Sequence, residues 1–216
     1  MAQTKLVIAT RNKGKLREVE ALLAGYPLEV LSMADFPDLP EIRENGNTFA
    51  ENAIIKATFV AQKTGLLTLG DDSGLEVDHL EGAPGVHSAR FAGEPADDRR
   101  NNQKLLALLE GVPLEARSAR FRCVMALAEP EGRTHLVEGT CEGYIGWELI
   151  GEQGFGYDPL FMLPNRALTL AQLDLETKNQ ISHRAQALKK ALPMLLELLD
   201  IKPRKTFPDV ENGVEH

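Results

Sequence analysis

The chain has only two cysteines, no apolar run long enough to cross a bilayer, and no excess of positive charge. Each shortage removes a class of protein. Cys123 and Cys141 lie in apolar surroundings with no second cysteine or histidine at ligand spacing, so two reduced thiols in strands are expected and a structural zinc is not. A spanning helix needs about 20 apolar residues, and Met1 to Lys5 lacks the charged-then-apolar layout of a secretory leader. A soluble, cytoplasmic protein with no membrane partner is expected. Lys and Arg number 24 against 32 Asp and Glu, a net charge of −8, and such an acidic balance opposes broad contact with the phosphates of a nucleic acid. No internal repeat or linker breaks the chain. What remains is 216 residues, 43% hydrophobic and 26% charged, suited to one globular domain.

Along that chain, Lys5 to Ala9 is a short apolar run that stops at Thr10-Arg11-Asn12-Lys13-Gly14, and Lys15 to Leu23 switches to helical spacing. This predicts strand, loop, helix. A second strand is expected near Leu28 to Leu31, then a loop carrying Pro37 and Pro40. Thr48 with Glu51 is a capping box for a long helix whose buried stripe is Phe49, Ala53, Ala57 and Val60. Leu66 to Leu69 reads as a buried strand ending in a tight acidic turn, Gly70-Asp71-Asp72-Ser73-Gly74, after which Leu75 to Leu80 alternates as another strand. Asp97 to Leu109 reads as a helix, polar first and then apolar. Ala119 to Ala128 and Thr134 to Ile145 read as a hairpin. A Gly-rich loop spans Gly151 to Pro159, and from Ile181 onward Ala187, Leu188, Ala191, Leu192, Leu195, Leu196 and Leu199 recur at helical spacing, with Thr177 and Gln180 as a second capping box. Strands interleaved with helices predict an α/β fold, and the hairpin predicts a mixed sheet. One domain over residues 1–200 is expected, with residues 201–216 a polar tail and a candidate for disorder.

Four loops carry groups suited to chemistry. Thr10-Arg11-Asn12-Lys13-Gly14-Lys15 sets three cations before a helix N-terminus, where backbone N–H groups and the macrodipole favour an anion. It is not a Walker A loop, since Ala9 and Leu16 stand where glycine and a hydroxyl residue are needed, and Ala21 and Leu22 deny it the acidic pair of a Nudix hydrolase. Asp71-Asp72-Ser73-Gly74 offers two carboxylates and a hydroxyl; Mg²⁺ takes one or two carboxylates plus waters and phosphate oxygens, and Glu44 is the best distant second ligand. In Gly154-Phe155-Gly156-Tyr157-Asp158-Pro159, glycines permit close approach and aromatics can stack on a base. Lys178 to Arg184, including His183, brings cations to the start of the last helix, and Lys56 shares a helix face with Asn52 one turn earlier. Each also has an ordinary reading as a solvated helix start, an Asp-Ser-Gly turn, a hairpin turn or an amphipathic face. Together they fall at element ends, where one cleft can gather them. A Mg²⁺-bound triphosphate calls for this mixture of cations, acids, glycines and aromatics.

These blocks, taken in order with Gly82-Ala83-Pro84-Gly85 and Ser88-Ala89-Arg90, resemble the inosine triphosphate pyrophosphatase family over residues 4 to 200. The resemblance implies an elongated, two-lobed α/β molecule on a long mixed sheet with flanking helices and a substrate cleft between the lobes, usually a homodimer. It implies hydrolysis of non-standard purine nucleoside triphosphates (ITP, dITP, XTP) to the monophosphate and pyrophosphate. Position by position, Thr10, Arg11, Asn12, Lys13, Gly14, Lys15 and Lys56 would hold phosphates, and Glu44 and Asp72 would bind Mg²⁺. Asp72 would also accept the proton of the attacking water, and Ser73 would line the site. Phe155, Gly156, Tyr157 and Asp158 would hold the nucleotide, and Lys178, His183 and Arg184 would recognise its purine. Two positions depart from the family pattern: Arg11 stands where many members carry a smaller residue, and Asn45 replaces a common threonine. A pyrophosphatase for pyrimidine or other nucleotides, or a nonenzymatic nucleotide sensor, are the rival readings.

Overall fold

The alternation of short β-branched runs with amphipathic stretches resolves into one six-stranded sheet with helices on both faces. The computed structural model describes residues 4–202. Strands β1 (Thr4–Ile8), β2 (Leu28–Ser32), β3 (Thr68–Val77), β4 (Ser118–Ala128), β5 (Thr134–Ile145) and β6 (Phe161–Met162) lie in the order β2-β1-β3-β4-β5-β6. The pairs of β1 with β2 and β3 are parallel, and the remaining pairs are antiparallel. The sheet is mixed because the first strands are joined through helices while β4 and β5 are joined by a short turn.

Helices α1 (Lys13–Leu23), α2 (Phe49–Thr64), α3 (Asp98–Leu108), α4 (Leu175–Ile181) and α5 (His183–Leu198) flank it. The expected stripe of α2 is buried, and Thr48 caps it by accepting from the Glu51 amide. That stripe packs on Val124, Ala126 and Ala128 of β4. On the other face, Ala187, Leu188, Ala191, Leu192, Leu195 and Leu196 of α5 close a core with Leu6, Ile8, Cys123 and Met125. Each fully buried leucine there contributes about 1.5–3 kcal/mol. A separate cluster at the distal end of the sheet joins Leu75, Phe121 and Ile145 to Leu105 of α3, to Leu109 that caps it, and to Tyr157 and Leu160. Ile201 packs on the α5 core, and the rest of the expected tail, from residue 203, lies outside the described residues.

Two expectations need correction. The acidic segment is not a turn, because β3 runs unbroken from Thr68 to Val77. Its glycines serve close packing instead: a Cβ on Gly70 would fall 2.5 Å from the Ala53 carbonyl oxygen of α2, and one on Gly74 would fall 2.4 Å from the Gly85 carbonyl oxygen. The last helix does not start near Lys178. Lys178 belongs to α4, which Asp174 caps by accepting from the Thr177 amide, and Ser182 then breaks the chain and caps α5. The pair Thr177 and Gln180 is therefore internal to α4.

Candidate active site

Because β3 is a continuous strand, its side chains alternate, and Asp71 and Asp72 point to opposite faces. Their cross-strand partners agree: Asp71 pairs with Met125 of the α5 core and Asp72 with Val124 of the α2 core.

Asp71 receives Lys15 Nζ at 2.5 Å and Arg184 Nε at 2.8 Å, and Cys123 Sγ donates to it at 3.1 Å. Ser73 Oγ, on the same face, donates to Asp71 and accepts from Arg184 Nη2 at 2.9 Å. The ion chain then continues inward. Arg184 pairs with Glu18, Glu18 with Lys178 Nζ at 2.7 Å, and Lys178 with Asp158 Oδ2 at 2.5 Å. Burial alone would raise the Asp71 carboxyl, but the Arg184 and Lys15 charges outweigh it and hold the group well below the usual carboxylate range. Glu18 is lowered in the same way by Arg184 and Lys178.

On the opposite face, Lys56 Nζ donates to Asp72 Oδ1 at 2.8 Å and to Glu44 Oε2 at 3.0 Å, so the two acids meet on one ammonium. Asn52 Nδ2 donates to Asp72 Oδ2 at 3.3 Å, while Asn52 Oδ1 accepts from the Gly46 amide at 2.8 Å. One asparagine thereby ties the acid of β3 to the loop carrying Glu44. Burial raises the Asp72 carboxyl above its ordinary value, with the Glu44 charge adding to that and the Lys56 and Lys15 charges opposing it. Glu44 is lowered, since the Lys56 charge overcomes its burial.

A cavity of about 390 Å³ opens beside Asp72 and takes in groups from both faces, lined by Thr10, Arg11, Asn12, Lys15, Glu44, Lys56, Asp72, Ser73, Phe155, Gly156, Tyr157, His183 and Arg184. Its wall also includes Glu41, Ser88, Arg90 and Asp98. Tyr157 Oη donates to the Ser88 carbonyl at 2.8 Å, burying its hydroxyl. His183 stacks on Phe121 with ring centroids 4.8 Å apart. Burial, with the Arg184 and Lys178 charges, pushes its imidazole well below the ordinary range, so it is neutral.

Four expected residues do not line this cavity. Lys13 is exposed. Gly14 and Lys178 line a second cavity of about 510 Å³, on the other side of Phe155, which borders both. Asp158 is buried beneath, where it accepts from Lys178 and from the Phe155 amide at 2.9 Å. Lys178 and Arg184 sit 5.1 Å and 5.7 Å from the Phe155 ring centroid. The helix start also differs from a free anion cradle, because Asn12 Oδ1 already accepts from the Gly14 and Lys15 amides. What the loop offers the cavity is the Lys15 and Arg11 side chains. Glu18 and Asp71 were absent from the expected set. Glu18 carries no local signal, since a lone glutamate on a helix looks solvated, whereas Asp71 stood beside the chosen acid.

The donor set fits a hard divalent cation. Glu44 and Asp72 are two oxygen acids facing one cavity, and Mg²⁺ needs no more than one or two carboxylates when substrate oxygens and waters complete its shell. Among the described residues no group of three or more His, Cys, Asp or Glu gathers to hold a metal. The Cys123 thiol, buried and pushed well above its ordinary value by burial and Asp71, is no ligand either.

Residues 6–194 match the Ham1 family. The chain is 61% identical over 194 residues to a dITP/XTP pyrophosphatase of Desulforamulus reducens, covering 90% of this chain and 96% of that protein. It is 55% identical over 185 residues to a dITP/XTP pyrophosphatase of Geobacter sulfurreducens, covering 86% and 93%. Among solved structures, a HAM1 protein from Coxiella burnetii superposes with a TM-score of 0.81 at 44% identity, covering 90% of this chain and 99% of that one. The Staphylococcus aureus Ham1 protein gives 0.79 at 39% identity, covering 90% and 100%.

Proposed function

This chain belongs to the Ham1 family, and from that premise we propose that it hydrolyses ITP, dITP and XTP to the nucleoside monophosphate and pyrophosphate, with Mg²⁺ as cofactor. It thereby removes non-standard purines from the nucleotide pool. The observation that carries the reading is the meeting of Glu44 and Asp72 on Lys56 within a cavity that also receives Lys15. Five cations (Arg11, Lys15, Lys56, Arg90, Arg184) and four carboxylates (Glu41, Glu44, Asp72, Asp98) line that cavity. A wall so nearly neutral does not by itself balance a polyphosphate, which supports a divalent cation as part of the bound substrate. Glu44 and Asp72 would hold the ion, whose charge would neutralise phosphate oxygens.

In this reading the chain's own groups do the following. Asp72, held toward the cavity by Asn52 and Lys56, takes the proton of the water that attacks the α-phosphorus. Asn52 and Lys56 fix the direction of its two oxygens. Lys15, Lys56 and Arg11 meet the phosphate charge. Phe155 offers a ring face to the base, backed by the Lys178 and Arg184 cations. A 6-keto purine accepts hydrogen bonds from donors at that edge, whereas adenine presents an amino group and leaves them unpaired. A homodimer and a cytoplasmic location are proposed on the family resemblance; no helix among the described residues is long and apolar enough to cross a membrane.

Pyrophosphate release over eight nucleotides, with and without Mg²⁺, tests the reading. The expected result is a kcat/KM for dITP and XTP on the order of 10²-fold above that for dATP, and no release without a divalent ion. Equal rates on dITP, dGTP and dATP would end it. A preference for dTTP or UTP would assign the chain to the pyrimidine class.

A further inference from the structure

Helix α3 is given no step in the mechanism above beyond placing Asp98 on the cavity wall, yet two of its polar residues are buried. Asn101 and Asn102 are 2% and 4% exposed. Asn102 Nδ2 donates to the Gly156 carbonyl at 2.8 Å, and Asp98, one turn earlier, accepts from the Gly156 amide at 2.8 Å. The peptide between Phe155 and Tyr157 is thus gripped at both ends. Asn101 Nδ2 donates to the Ala89 carbonyl at 3.0 Å, and its Oδ1 accepts from the Ala92 amide at 2.7 Å. The same side chain brackets Arg90, which lines the main cavity. The far half of α3 is apolar and, with its C-cap Leu109, sinks Leu105 into the distal core.

We propose that α3 is a positioning strap, anchored by its apolar half, whose Asp98, Asn101 and Asn102 set the spacing between the Phe155–Tyr157 loop and the Arg90 segment across the nucleotide cleft. The proposal rests on the reading of that cleft as the substrate site. One detail separates it from plain scaffolding: Asn102 Oδ1 is buried with no hydrogen-bond partner among the described residues. An unmet buried acceptor costs stability, so a residue kept for stability alone would not carry one. The grip on Gly156 is what Asn102 supplies.

Steady-state pyrophosphate release from ITP with Asn102→Ala, Asp98→Ala and Leu105→Ala tests this, each assayed well below its thermal midpoint. Asn102→Ala raises KM roughly tenfold with kcat within about threefold of wild type, as expected for lost ground-state positioning. Asp98→Ala also raises KM, although removing a negative charge from the cavity wall should by electrostatics alone lower KM for an anion. Asp98 is exposed and α3 keeps its Asp97 cap, so this variant carries the test should Asn102→Ala fail to fold. Leu105→Ala, which weakens the same helix through the distal core it shares with Tyr157 but leaves the hydrogen bonds to both loops in place, raises KM by less than either polar variant does. Unchanged KM in both polar variants, or an equal rise in Leu105→Ala, overturns the strap. The wild-type assay tests the substrate reading, and only the ratio of variant to wild type tests the strap.

Discussion

On one face of β3, Asp71 is saturated by Lys15, Arg184, Cys123 and Ser73, is 1% exposed, and is held ionised by two cations. One residue further along, on the other face, Asp72 meets Lys56 and Asn52, borders a solvent-open cavity and has its carboxyl raised by burial. The two residues share type, strand and depth, and differ in what the sheet turns them toward. The difference teaches that the pleat alone sends two neighbouring acids into different surroundings. Asp71 anchors α5 and α1 to the sheet, and Asp72 is the acid that the proposed function assigns to substrate and cation.

Substitution should separate the pair. In Asp72→Asn, turnover falls by roughly 10²–10⁴ while nucleotide binding and the thermal midpoint stay near wild type; in Asp71→Asn, the unpaired Arg184 and Lys15 charges cost about 3–5 kcal/mol of stability, read by denaturant unfolding. If both variants lose turnover alike and stability alike, the comparison breaks. A smaller effect tests the packing that lets β3 run through both roles. Gly70→Ala would press a methyl against the backbone of Ala53, and such overpacking typically costs about 1–3 kcal/mol, visible as a lower thermal midpoint and as lost activity through shifted Asp72.

The smallest expected effect is on pH dependence, and it sharpens the contrast between fixed and adjustable charge. His183 is neutral in the fold because burial and the Arg184 and Lys178 charges depress it below 6.5. The unfolded chain binds that proton first, so stability is full above pH 6.5 and declines as pH falls below it. His183→Gln should flatten that slope between pH 6.5 and 5 in thermal unfolding, whereas a slope unchanged by the substitution would assign it elsewhere. Below pH 4.5 a second decline should set in, because the unfolded chain protonates Glu18 while Arg184 and Lys178 keep it ionised in the fold.

Much of this molecule was legible in its sequence where periodicity speaks. The stripes of α2 and α5, the Thr48 cap and the β4–β5 hairpin follow from spacing, since each buries one face against a neighbour adjacent in the fold. The strand β3 was hidden because glycine, aspartate and serine favour turns locally, and only the close approach of α2 and of the segment Gly85–Arg90 explains them inside a sheet. Similarly, the break at Ser182 looked like the interior of a helix; its hydroxyl caps α5 and lets His183 and Arg184 turn toward the cavity. Glu44 and the pair Asp71 and Asp72 stood out as acids in reach of a cation site, and Lys56 by the helix face it shares with Asn52, whereas the choice of Asp72 over Asp71 came from the family resemblance. Glu18 could not, because its partner Arg184 lies 166 positions away, and no local pattern announces a contact of that range.

The strict alternation along β3 has a consequence for how this chain can lengthen or shorten. Deleting or inserting one residue between Thr68 and Asp71 would exchange the outlooks of the two acids, burying Asp72 among cations and presenting Asp71 to the cleft. No compensating side chain mends that, because every neighbour downstream flips as well. The β4–β5 turn around Glu131 and Gly132, exposed and bound only to itself, has no such arithmetic to satisfy. Length variation in this protein should therefore collect at that turn and be absent from β3.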